Sequence, residues 1–199
     1  FFDFDNDGWL DLFVANGHLY PQLTRHLAGL QYAQRNLLYH NHQGFFTEVG
    51  LYAGAAWHAV QVSRAAALGD YDNDGDTDLL IVNLNEEPAL LRNDGGNQQN
   101  WLGLQLVGTT SNRDAIGARV RVVSQDLQQM RELQRGYSFQ AQHDPRLLFG
   151  LGAHQEVERV EILWPSGHQQ ILQAPPLRRY IVVREGSDEI ITQDPLPVA

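Results

Sequence analysis

The sequence predicts an all-β chain in two parts: a partial β-propeller, then a sandwich-like β domain. Three observations predict it. A loop motif of alternating aspartates occurs twice, and each copy runs into a short apolar segment rich in strand formers. Short segments of alternating sidedness, joined by Gly, Asn or Pro turns, fill most of the remainder. A polar, turn-rich stretch, NDGGNQQN at 93–100, separates the two parts. The expected division is a repeat region over 1–98, a β domain over 99–187 and a tail over 188–199.

The elements follow in order. The repeat is DFDNDGWLDLFVAN from Asp3 and DYDNDGDTDLLIVN from Asp70. Each copy is followed by a strand-like piece, NLLYHN at 36–41 and ALLRND at 89–94, and the first is extended by GFFTEVG at 44–50. Several short strands per repeat is the pattern of a propeller blade. Between them, Leu19, Leu23, Leu27 and Leu30 have roughly helical spacing, which leaves a short helix and a long surface loop both open for 17–35. In the second part, WLGLQLVG, ARVRVVS, RELQRGYSF, VERVEILW and YIVVREG read as strands. Gln125 to Leu133 reads as a hairpin tip or one helical turn. Pro165-Ser166-Gly167 and Pro175-Pro176 read as breaks between strands. Pro195 and Pro197 predict a frayed end over 192–199.

Composition narrows the function. The formal charge is −10, with 24 acids against 14 bases, the reverse of what a nucleic-acid binder needs. No apolar run approaches the roughly 20 residues of a membrane-spanning helix, so no membrane insertion is expected. There is no cysteine, hence no disulfide framework and no thiolate metal site. The chain opens at Phe1 and its one methionine is Met130, which predicts a fragment or a processed product. Asp3, Asp5, Asp7, Asp11, Asp70, Asp72, Asp74, Asp76 and Asp78 fall in two nine-residue windows. Charge concentrated in this way points to a bound cation.

Both windows have the form D-x-D-x-D-G-x-x-D. Calcium takes about 6–8 oxygen ligands, and carboxylates at alternate positions of a tight loop can all turn inward around it. Two Ca2+ sites are therefore expected. Asp3, Asp5, Asp7 and Asp11 would form one, and Asp70, Asp72, Asp74 and Asp78 the other. Gly8 and Gly75 sit where each loop must reverse. The main-chain carbonyls of Trp9 and Asp76 are the natural further ligands, with the Asp76 side chain directed to solvent. An EF-hand needs a Glu at position 12 and flanking helices. Position 12 is Val14 in one copy and Ile81 in the other, so that reading fails. A metal-free Asn-Asp-Gly turn would leave four carboxylates repelling one another twice over. Magnesium fits less well, because it keeps several waters. Loops of this sort serve extracellular modules, where calcium is millimolar, and that argues for an extracytoplasmic location.

The two aspartate loops with LFVAN and LLIVN, together with NLLYHNHQGFFTEVG, resemble the FG-GAP/VCBS repeats of calcium-binding propellers. NWLGLQLVG, the stretch Asn112 to Val122, RGYSFQAQHDPRLLFGLG and VERVEILWPSGHQQIL resemble the ASPIC/UnbV domain that follows such repeats in the cartilage acidic protein family. The resemblance covers nearly the whole chain. It implies that the aspartates named above are calcium ligands, that the protein is secreted or on a surface, and that it works in adhesion. It brings no catalytic residues. A closed propeller needs more blades than the two or fewer encoded here.

Other constellations are weaker. His40 and His42 share a strand face and suit zinc, but no third ligand is evident. Ser166 and His168 read as turn residues, since no G-x-S-x-G elbow is present. Trp101, Trp164, Phe139 and Phe149 read more readily as core than as a sugar-stacking platform, and Tyr137 and Tyr180 are ambiguous in the same way. The expected function is a non-catalytic, calcium-binding scaffold for an extracellular protein or glycan. The competitor is part of a calcium-stabilised hydrolase or polysaccharide lyase, for which Glu48, Glu86 and Glu87 are the available acids.

Overall fold

A computed structural model gives the fold and describes residues 1–22 and 31–193. The chain is all-β. In the N-terminal half, β1 (Leu12–Val14) leaves the first aspartate loop. β2 (Gln34–Arg35) makes a two-strand patch with β5 (Val60–Gln61), while β3 (Leu37–His42) and β4 (Phe45–Glu48) form a hairpin. The first sheet has the order β1-β3-β4 and is antiparallel. β6 (Ser63–Gly69) leads into the second aspartate loop, and β7 (Asp78–Asn83) leaves it. With β8 (Ala89–Leu91) they form the antiparallel sheet β6-β7-β8.

Alternation sets the sidedness. In β7, Leu79 and Ile81 are buried while Leu80 and Val82 face out. Phe2, Leu38, Trp57, Leu79 and Ile81 make one small core, so the two sheets share an interior. Among the described residues the sheets do not close into a ring.

The C-terminal half contains β9 (Asn100–Val107), β10 (Arg119–Ser124), β11 (Leu127–Glu132), β12 (Leu147–Gly152), β13 (Arg159–Leu163), β14 (Gln169–Gln173), β15 (Tyr180–Arg184) and β16 (Ile190–Gln193). They form two four-stranded sheets, β11-β10-β13-β14 and β12-β9-β15-β16. Leu102, Leu104, Phe149 and Ile181 of one sheet pack on Val120, Val122, Val160 and Ile162 of the other in a single core, a sandwich. The β9–β15 pair is parallel, the rest antiparallel.

The details correct several expectations. Gln125 to Leu133 is the turn and returning strand of the β10–β11 hairpin, not a helical turn. RELQRGYSF is not one strand: β11 ends at Glu132, and only an isolated Ser138–Ala141 bridge follows. Strand pairing continues into 188–199, where β16 pairs with β15. The reading of Leu23, Leu27 and Leu30 falls at 23–30, outside the described residues, as does most of the expected frayed end.

The two aspartate loops lie where the halves meet. Asn6 of the first loop donates from Nδ2 to the carbonyls of Gly75 (2.8 Å) and Gly96 (3.0 Å), and its own carbonyl accepts from Gly152 N (2.7 Å). A Cβ on Gly150 would run into Asp3 and Asn6, and one on Gly75 would stand inside the Trp101 indole. Sandwich side chains and loop backbone are thus in direct contact.

Candidate metal centres

The two loops repeat the same backbone-to-carboxylate bonds. In the first, Asp3 accepts from Asp7 N (3.1 Å) and Gly8 N (2.9 Å). In the second, Asp70 accepts from Asp74 N (3.1 Å) and Gly75 N (2.9 Å). Asp11 is held by Phe4 N (3.0 Å) and Asn41 N (2.8 Å), and Asp78 by Tyr71 N (3.0 Å) and Asn93 N (2.8 Å). Backbone strain repeats too, with φ of 56° and 97° at Asn6 and Gly8 and 60° and 102° at Asn73 and Gly75. Positive φ at these positions is why Asn and Gly stand there.

These bonds gather the carboxylates. One oxygen each from Asp3, Asp5 and Asp11 lies within 4.8 Å of the others, and Asp70, Asp72 and Asp78 do the same. Asp3, Asp11, Asp70 and Asp78 are buried. Burial is the main reason their carboxyls are pushed up, Asp11 and Asp78 to about 6. In Asp3 the neighbouring Asp7 adds to it.

The fit to a cation rests on orphaned atoms. Asp5 Oδ1 and Asp72 Oδ1 hold the same place in the two loops, and both are buried without a hydrogen-bond partner. A buried oxygen left unpaired costs about 1–3 kcal/mol or more, so the same orphan twice implies a missing partner. All-oxygen, multiply anionic donor sets suit a hard divalent ion. Asp3, Asp5 and Asp11 would hold one ion, and Asp70, Asp72 and Asp78 the other.

The remaining expected ligands divide. Asp7 joins Asp5 and a histidine, His40, in a second group of three. Asp74 instead accepts from Asn97 Nδ2 (2.7 Å) and from Asp76 N (3.2 Å). The Trp9 side chain is exposed and its N–H donates to Asp7 (2.7 Å). Asp76 overturns an expectation: its side chain is fully buried rather than solvent-facing, because Oδ2 accepts from Asn97 N (3.1 Å) where the linker folds back. Burial pushes its carboxyl up as well.

Sequence reasoning missed the groups that brace the loops from afar. Tyr180, buried in β15, donates its hydroxyl to Asp70 Oδ2 (2.7 Å). Arg146 donates to the Asp70 carbonyl (2.7 Å), and its guanidinium lies 4.2 Å from the Tyr180 ring centre. Asn41 and Asn93 were legible only as the recurrent Asn in the strand-like piece that follows each copy of the loop. His40 was singled out, but its partners lie in the other element.

The other candidates resolve into structure. Trp101, Trp164 and Phe149 are core, so of the four platform aromatics only Phe139 is exposed. Tyr137 stacks on His143 at 4.7 Å. The Ser166 hydroxyl donates to Glu185, which also accepts from the backbone of Thr109, Thr110 and Ser111. Burial alone would push the Glu185 carboxyl up, but these bonds pull it down to about 2. Glu48 is tied to Arg35 at 2.9 Å, while Glu86 and Glu87 are exposed.

The comparisons with known proteins agree with this architecture. The family model for the FG-GAP-like repeat matches residues 3–81, and that for ASPIC and UnbV matches 108–190. A search of curated proteins finds no match. FG-GAP repeats are commonly calcium-binding and typical of extracellular proteins. No helix among the described residues is long and apolar enough to cross a membrane. The chain carries an FG-GAP-like repeat followed by an ASPIC/UnbV domain.

Proposed function

We propose that each aspartate loop binds one Ca2+, and that the two ions lock the FG-GAP-like half onto the ASPIC/UnbV half to form a non-catalytic binding module. The module works outside the cytoplasm on a protein or glycan partner. The observation that carries this reading is the pair of equivalent buried orphan oxygens, Asp5 Oδ1 and Asp72 Oδ1, each on a residue grouped with two buried aspartates. The place of the loops supports the scaffold role. Asp70 is bonded from the sandwich by Tyr180 and Arg146, and Asn6 is bonded to Gly152, so an ion ordering either loop also orders the junction. The non-catalytic reading is supported by the three acids available to its competitor: Glu48 is tied to Arg35, and Glu86 and Glu87 stand on an exposed turn.

Thermal unfolding with chelator and with 10 mM calcium tests it. Extracellular-type sites bind at about 10⁻⁴–10⁻³ M, so two such sites add about 3–5 kcal/mol at that concentration. For a chain of this size the midpoint rises by about 6–15 °C. An unchanged midpoint would remove the structural role of calcium. A glycan and matrix-protein binding array, run with and without calcium, tests the partner class.

A further inference from the structure

The two loops share four aspartates at equivalent positions and differ, among their neighbours, in the residue that precedes the bracing asparagine. The backbone N–H of Asn41 bonds Asp11 as that of Asn93 bonds Asp78, which makes the preceding residues equivalent: His40 in the first repeat and Arg92 in the second. Arg92 is a fixed cation paired with Asp94 at 2.7 Å. A guanidinium cannot ligate a metal, because it has donors only. An imidazole can.

His40 is placed to do so. Its Nε2 is 3.2 Å from Asp5 Oδ2 and 3.7 Å from Asp7 Oδ2. These three residues offer ligand atoms within 4.8 Å of one another. Nε2 is itself buried and has no hydrogen-bond partner, so the nearby carboxylate oxygens lie beside the N–H axis and not along it. Ligands of one small ion adopt that arrangement. Two atoms each about 2.2 Å from a common centre and about 90–110° apart are separated by about 3.1–3.6 Å. The ring is held in place edge-on to Phe4, 5.9 Å between centres. Asp5 belongs to both this group and the group with Asp3 and Asp11, and its Oδ1 is a second orphan in the same place.

We infer that His40 is a nitrogen ligand of the first loop, and that the two loops therefore differ in metal preference. The first takes a divalent first-row transition ion of the Mn2+ or Zn2+ class in preference to Ca2+; the second, with Arg92 in the equivalent place, stays an all-oxygen calcium site. Imidazole nitrogen is a ligand of divalent first-row transition ions, whereas calcium takes oxygen ligands. The inference rests on the proposed reading of the first loop as a metal site.

The test uses the full chain, freed of metal by chelation and loaded with Mn2+ at neutral pH. Pulsed electron paramagnetic resonance is expected to show the nitrogen modulation of one directly bound imidazole per chain. His40→Gln is expected to abolish that modulation and to weaken Mn2+ binding by at least about tenfold. Its Ca2+ affinity should change by less than about threefold, since calcium prefers oxygen. Arg92→His, a gain-of-ligand change away from the first loop, is expected to add a second nitrogen-coupled ion. Nitrogen modulation that is absent, or that survives His40→Gln, overturns the inference. If calcium uptake sensitive to Asp11→Asn is nevertheless found, the calcium reading of the first loop stands alone. If neither ion binds in a manner sensitive to Asp11→Asn, both readings of that loop fall.

Discussion

Replacing Tyr180 with Phe isolates the link between the sandwich and the second loop. The ring is buried, lies over Gly103, and sits 5.3 Å from the Trp101 ring centre, so Phe keeps the packing and removes only the hydroxyl. The lost bond is charge-assisted, from Tyr180 to the Asp70 carboxylate at 2.7 Å. Such bonds contribute about 1.5–3 kcal/mol. Asp70 Oδ2 keeps its bond from Gly75 N, which argues for the lower figure, about 1.5 kcal/mol. For a chain of this length the thermal midpoint should fall by about 3–6 °C. The effect on calcium has the same sign. Burial pushes the Asp70 carboxyl up and the Tyr180 bond opposes it, so the variant ionises Asp70 less readily and binds calcium at the second loop more weakly. Unfolding followed with chelator and with calcium reads both effects. A midpoint within about 1 °C of the parent in both conditions would refute the claim that this bond joins the halves.

Two further outcomes follow. In metal-free protein, Asp11 and Asp78 have folded pKa values raised to about 6 by burial, so stability should rise as pH falls from 7 to 5, by about 1 kcal/mol per group. That stability is full below the unfolded value and is lost as pH climbs through the folded one. Saturating calcium should reverse the slope, because protons then compete with the ion; parallel slopes in urea titrations would contradict this. Gly75→Ala forces a Cβ at φ 102° into the Trp101 ring and should cost more than about 3 kcal/mol, whereas Gly95→Ala, with no atom closer than 3.9 Å, should be near neutral.

Much of this was legible because the signals are local. A repeated aspartate spacing, Gly at a forced reversal and alternating apolar residues act within a few positions, so the loops, β1, β7 and the sandwich strands could be read directly. What was not legible depends on distant pairing. Nothing in YIVVREG says that Tyr180 reaches Asp70, 110 positions away, or that β15 runs parallel to β9. The Asp76 side chain was misplaced because its burial comes from Asn97 folding back, a contact made by the linker and not by the loop. His40 was visible as a strand histidine, but its Asp5 and Asp7 neighbours depend on how β3 pairs with β1 beside the loop. The aromatic platform failed for a related reason. Trp101 and Trp164 are large enough to close the sandwich, and alternation alone does not tell a core tryptophan from a surface one.

Equilibrium dialysis of the metal-free chain against millimolar calcium tests the central claim most directly. Two ions per folded chain are expected, falling to one with Asp11→Asn and to one with Asp78→Asn. Uptake that is absent, or that neither substitution changes, would contradict it.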